Sequence, residues 1–331
     1  MWDFSIGRTI SLLMRTMPFI LLRMAVYFGV ALAYVLMTGT GAGIGYGIGA
    51  LGDAGFRAGS TVWGGVIGFG FVAVIMYWLR EYLLYMVKAG HIAVLVELID
   101  DRPMPEGRSQ IGHAHAIVRE RFAEASILFA VDQLIRGTLR AVTGLVRGVF
   151  TLLPIPGMRQ LISILRAFLR VAVGFIDEVI LAYNIRTRST NPWQSARTAL
   201  VLYGQNYGPM LRNAAWITLF VYGLSALVFI VMLAPAALVV NMIPGAWSAG
   251  GFIFALIFAW SVKVAILEPF AITCLMQVYF RTIDGQAPNP EWEARLESMS
   301  GKFRQLKDRA VSSGGESSET PPPAASSAST G

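Results

Sequence analysis

Charge is what this sequence has least of. Only 14% of its 331 residues are charged, against about 25% in soluble domains. That shortage argues against a water-soluble globule, and a hydrophobic content of 55% points to a lipid environment. Cysteine occurs once, at Cys274 in an apolar run, so there is no disulfide framework. Histidine occurs three times, and His113 and His115 fall on opposite sides of a helix. With His91 far away in the chain, no metal site is expected. No serine or cysteine stands in a nucleophile elbow, and no paired carboxylates suggest hydrolysis. An enzyme is the weakest class, and no cofactor is expected. The opening residues MWDFSIGRTISLLMRTMPF lack an apolar core followed by a small-residue cleavage site. They read as a retained segment in which residues 3–16 form either a short amphipathic surface helix or a frayed polar lead-in to the first span.

What the chain does have is long apolar runs. The expected fold is all-α: a polytopic helical membrane protein with spans at about 18–38, 62–80, 214–240 and 250–280. Residues 1–310 read as one helical membrane domain, and 311–331 as a disordered tail rich in serine, proline and alanine. Arg23 lies near the start of the first span, where a long side chain snorkels to the headgroups. Two interleaved glycine series follow, Gly39, Gly43, Gly47 and Gly41, Gly45, Gly49. The first is taken as the helix-packing row, because small residues four apart let backbones approach. Gly47-x-Gly49-x-x-Gly52 matches a dinucleotide fingerprint in form, but it follows a membrane span rather than a strand. Trp63 and Trp78 bracket the second span as interfacial anchors. Its helical pattern continues to Asp101, so a long helix leaves the membrane or bends along it.

Two unusual segments follow, at about 127–150 and 159–186, joined by a turn with two prolines. In the first, Asp132, Arg136, Arg140 and Arg147 share about 80° of helical arc; in the second, Arg159, Arg166, Arg170 and Asp177 share about 40°. Such narrow polar stripes on apolar helices predict a hairpin lodged against the bundle, bringing the spans to six if it crosses. If its helices are antiparallel, Asp177 lies level with Asp132 and within a turn of Arg136, where an arginine–carboxylate cluster offsets desolvation. Either a structural lock or a solute site fits that cluster.

Segments 81–126, 187–212 and 281–310 carry most of the arginine and lysine, whereas the opposite loops carry Arg57 alone. The net charge of +7 is thus explained by cytoplasmic loops rather than by nucleic acid, and both termini are expected in the cytoplasm of a bacterial inner membrane. Asn191-Pro192 reads as an N-cap with proline at the first helical position.

In the last span Lys263 and Glu268 interrupt an apolar helix, each at a cost of a few kcal/mol unless compensated. They lie about 140° apart around the helix, so each needs its own partner, sought in the hairpin stripes. Pro269 follows the glutamate and predicts a bend there. Read functionally, Lys263, Glu268, Asp132, Arg136, Arg170 and Asp177 form a polar lining. Read structurally, they form an ion-pair network that fixes helix positions.

The stretches FIDEVILAYNIRTRSTNPWQSARTALVLYGQN and LREYLLYMVKAGHIAVLVELID resemble a group of bacterial integral membrane proteins with no assigned activity. That resemblance covers most of residues 1–310. Ser195-Ala196-Arg197-Thr198-Ala199, after a helix and an Asn-containing loop, is similar to a short element of choline-transporter-like proteins, although the cysteine-rich stretch of that family is absent here. The resemblance implies transport. Two functions follow as expectations: passage of a small polar or charged solute, or a non-enzymatic scaffold. In the second, the cytoplasmic amphipathic helices bind the lipid bilayer or a membrane partner protein.

Overall fold

The computed structural model describes residues 2–102, 109–121, 127, 130–141, 174–242 and 259–316. Among these the chain is helical, with no strand. Four helices are long and apolar enough to cross a membrane: Met17–Gly49, Ala54–Tyr77, Tyr207–Ala234 and Ala259–Thr282. The protein is therefore an all-α, polytopic helical chain. The described residues cluster into two compact units, residues 1–118 with 211–278, and residues 119–210 with 279–331.

The first unit begins with α1, Ile6–Arg15, capped by Ser5, whose hydroxyl accepts from the Arg8 amide. One face of α1 is buried through Thr9, Leu12 and Leu13. Ahead of it, the Trp2 ring meets Trp216 at 5.3 Å and Phe220 at 5.4 Å edge to face, which anchors the N-terminus. Helix α2, Met17–Gly49, is longer than the first expected span. A turn leads to α3, Ala54–Ile99, capped by Asp53. At 46 residues α3 measures about 69 Å, over twice a bilayer's hydrocarbon core, so the single long helix foreseen past the second span is present.

Helices α2 and α3 pack through glycine, but through the other row. A Cβ on Gly41 would stand 2.1 Å from the Gly64 carbonyl oxygen, and one on Gly45 would stand 2.0 Å from that of Ser60. Around Gly39, Gly43 and Gly47 nothing lies within 4 Å. The expectation that these three were the packing row is corrected. Both rows have the same spacing, and sequence alone does not say which side of α2 receives α3. Helix α4 follows at Gln110–Arg121.

Helix α5, Ile176–Thr187, restarts after a turn at Phe175, so the second hairpin segment is not one unbroken helix. Arg147, Arg159, Arg166, Arg170 and the proline turn lie outside the described residues. Helix α6, Pro192–Gln205, starts with Asn191 as N-cap and proline at the first position. Helix α7, Tyr207–Met242, takes Gly208-Pro209 into its first turn, where a proline costs no hydrogen bond. Asn206 alone separates α6 from α7.

The last span enters the described residues at Ala259, passes through a π-helical segment at Lys263–Leu267, and continues as α8, Glu268–Thr282. Two charged helices follow, α9 at Pro290–Met299 and α10 at Gly301–Glu316. Ser300 ends one and caps the other, its hydroxyl accepting from the Phe303 amide at 3.2 Å. Residues 311–316, assigned to the tail from sequence, are helical, and 317–331 lie outside the described residues.

In the second unit α6, α9 and α10 are pinned by charge. Glu293 pairs with Arg197 and, at 3.4 Å, with Lys307, which also meets Glu297. The Asn191 amide donates to the Ala310 carbonyl at 2.8 Å, and the Arg309 guanidinium lies 4.8 Å from the Trp193 ring centre. Tyr279 donates to the Ala199 carbonyl at 3.0 Å and stacks on Tyr203.

Candidate functional site

The feature that separates the fourth span from the others is its burial. Of its most apolar window 72% is buried, against 11–28% for the other three. It is also the one that is broken. Pro269 has no N–H, so the Ala265 carbonyl loses its α-helical donor and the Val264 carbonyl its π-helical one. The chain answers with the π segment and with an outside donor. Arg23 Nη2 reaches across from α2 to the Val264 carbonyl at 3.3 Å. The same nitrogen pairs with Glu268 Oε2 at 3.2 Å. Lys88, on α3, comes within 3.8 Å of that oxygen. Three helices thus meet at one carboxylate.

This geometry changes three readings. Arg23 does not snorkel: it is 2% exposed and turned into the protein. The described partners of Glu268 come from α2 and α3, where the sequence reading looked to the hairpin stripes. The interruption expected at Pro269 lies ahead of it, as the π segment Lys263–Leu267. Beyond Glu268 the helix packs on α1, with Cys274 Sγ 3.3 Å from Thr9 Oγ1 and Gln277 donating to that hydroxyl at 2.7 Å. Lys263 is half-buried and has no ion-pair partner among the described residues.

Next to this cluster His91, on α3, is 1% exposed and stacks parallel on Phe19 at 5.2 Å. Its Nε2 lies 3.0 Å from the Thr16 hydroxyl. Thr16 spends its one proton on the Leu12 and Leu13 carbonyls, so it accepts from His91 Nε2–H. The Nδ1 lone pair is then an acceptor, buried and without a partner. Arg23 Nε is likewise buried without a partner, as a donor. Burial, and then the charge of Arg23, lowers the His91 pKa from 6.5 to about 3.

In the second unit the structure brings together Asp132, Arg136 and Asp177. Arg136 Nε lies 3.0 Å from Asp132 Oδ2 and 2.9 Å from Asp177 Oδ2. Both acids are buried, as is the adjacent Glu178. The cluster lies outside the four spans. Burial, then Glu178 and Asp132, raises Asp177 above the usual carboxylate range, while Arg136 opposes the rise. Burial alone would lower Arg136; Asp132 and Asp177 outweigh it and hold the guanidinium protonated. Among the described residues no group of three His, Cys, Asp or Glu side chains has the geometry to hold a metal ion.

Sequence reasoning missed Arg23, Lys88 and His91 as members of the site. Arg23 had a signal: it stands alone among apolar residues, as Glu268 does, and two isolated opposite charges in different spans are candidates for each other. His91 had none, because its partner Thr16 is neutral and far off in the chain. In comparison with known proteins, no family model matches the chain, and neither a curated protein nor a solved structure matches it.

Proposed function

We propose that this chain is a multi-pass protein of a bacterial inner membrane, with both termini cytoplasmic, that passes a small polar or charged solute. The control point is the interrupted stretch Lys263–Pro269. The observation that carries this reading is Glu268. It stands at a π-to-α junction in the most buried span, held by cations from two other helices. A helix that needs only to fill space has no use for a proline, a π segment and a carboxylate together. π segments inside α-helices and broken membrane helices recur where ligands or ions are handled. Resemblance to choline-transporter-like proteins supports the same class.

The test is solute flux into liposomes holding the purified protein. A panel of small ions, amines, carboxylates and sugars is compared for wild type, Lys263→Met and Glu268→Gln. Flux of at least one solute, lost in the Glu268 variant, is expected. No flux across the panel, with both variants as stable as wild type, overturns the reading and favours a scaffold. A scaffold is favoured by the rigid body that Glu293, Arg197 and Lys307 make of α6, α9 and α10. It predicts a co-purifying membrane partner that is lost when α4 is replaced.

A further inference from the structure

Arg23 uses half of its hydrogen-bonding fork. A guanidinium presents Nε–H and one Nη–H side by side, spaced to take both oxygens of one carboxylate. Here Nη2 is taken by Glu268 Oε2 and by the Val264 carbonyl, and Nε is buried with no acceptor. Glu268 meets Arg23 through a single oxygen, and that oxygen faces Lys88 as well. A residue 2% exposed with an empty Nε–H leaves a desolvated donor unmet, which is unfavourable. The second orphan is of opposite sense: His91 Nδ1 is a buried acceptor, one turn along α3 from Lys88. A donor and an acceptor, both unmet, mark a place for something that carries the reverse pair.

Glu268 is also placed to move. It is the first residue after the π segment, and Pro269 removes a backbone bond that would otherwise tie this turn down. A shift between π and α pairing there rotates the carboxylate without unwinding the span. Arg23, meanwhile, stays fixed by the Val264 carbonyl.

We propose that Arg23 binds a small carboxylate in exchange with the Glu268 side chain. The incoming carboxylate takes the Nε and Nη2 edge, and its hydroxyl or hydration water donates to His91 Nδ1. Glu268 occupies the place of the guest when the site is empty. The inference names the solute class for the transport reading above and rests on it. It also explains why a carboxylate, two cations and a neutral imidazole are gathered at a break: one anion leaves the guanidinium as another arrives, so the buried charge is never bare.

The full-length protein in nanodiscs of neutral phosphatidylcholine is titrated with acetate, and binding is read by calorimetry against chloride at matched ionic strength. Glu268→Gln removes the competing charge and keeps the shape. It is expected to bind acetate at least about tenfold more tightly than wild type. Misfolding cannot produce such a gain, so the variant remains informative even if its stability falls. Arg23→Lys keeps the charge, loses the fork, and is expected to bind acetate at least about tenfold more weakly than Glu268→Gln when combined with it. Acetate binding no tighter in Glu268→Gln than in wild type overturns the proposal, as does an equal response to chloride. Acetate binding without flux of any solute sinks the transport reading alone. Flux of a solute that acetate does not compete with sinks this inference alone.

Discussion

A buried imidazole held neutral ties His91 to pH. In the unfolded chain the ring takes up a proton near 6.5; in the folded protein it does so only near 3. Between those values the unfolded state holds more protons, so stability rises with pH and is lost on acidification. The loss is up to about 1.4 kcal/mol per pH unit from this residue. His91→Gln keeps a donor for Thr16 and cannot be protonated. Thermal unfolding in detergent from pH 7 to pH 4 should therefore fall more steeply for wild type than for His91→Gln; parallel slopes contradict the assignment. Glycine gives a second contrast at this scale. Gly41→Ala should lower the unfolding temperature, because its Cβ would stand 2.1 Å from a backbone oxygen, and two helices must part to admit it. Gly43→Ala has open space and should be neutral or raise stability by up to about 1 kcal/mol, since alanine favours helix. The reverse order would mean that α3 packs on the other side of α2.

At the scale of an element, the break in the fourth span trades stability for geometry. Pro269→Ala restores a backbone donor and removes a ring clash worth about 3 kcal/mol. The segment Lys263–Leu267 is then free to become α-helical, which turns Glu268 away from Arg23 by up to one residue's rotation. A higher unfolding temperature with lower flux is expected; unchanged flux would show that the π segment has no role in passage. Elements of this kind differ in how far the sequence discloses them. Asn191-Pro192 named the start of α6, because a cap and a proline act within one turn. Asp132, Arg136 and Asp177 were placed on facing stripes by periodicity, and they meet. The π segment was not legible, since the Val264 carbonyl it leaves open is met by Arg23, 241 positions away in the chain. The split between α9 and α10 was not legible either. Ser300-Gly301 lies inside a charged helical pattern, and it ends α9 because the serine hydroxyl caps α10 rather than joining the first helix.

For the whole molecule, composition alone disclosed an all-helical chain with four spans, because the shortage of charge and the length of apolar runs act everywhere at once. The span that carries Lys263 and Glu268, Ala259–Thr282, is also the most buried of the four. Partners across the fold were harder, because periodicity gives a face and not a neighbour. One tertiary contact ties the site together, Arg23 of the first span with Glu268 of the fourth. A double-mutant cycle with Arg23→Met, Glu268→Met and both together reads it directly, by unfolding free energy and by flux. Removing either partner leaves a charge in a poorly hydrated place and should cost about 3 kcal/mol, nearer the lower end for buried pairs because Glu268 is 25% exposed. The pair removed together should cost less than the sum by at least about 1 kcal/mol, and flux should be lost in all three. Additive single costs, with flux equal to wild type in every variant, would contradict the account.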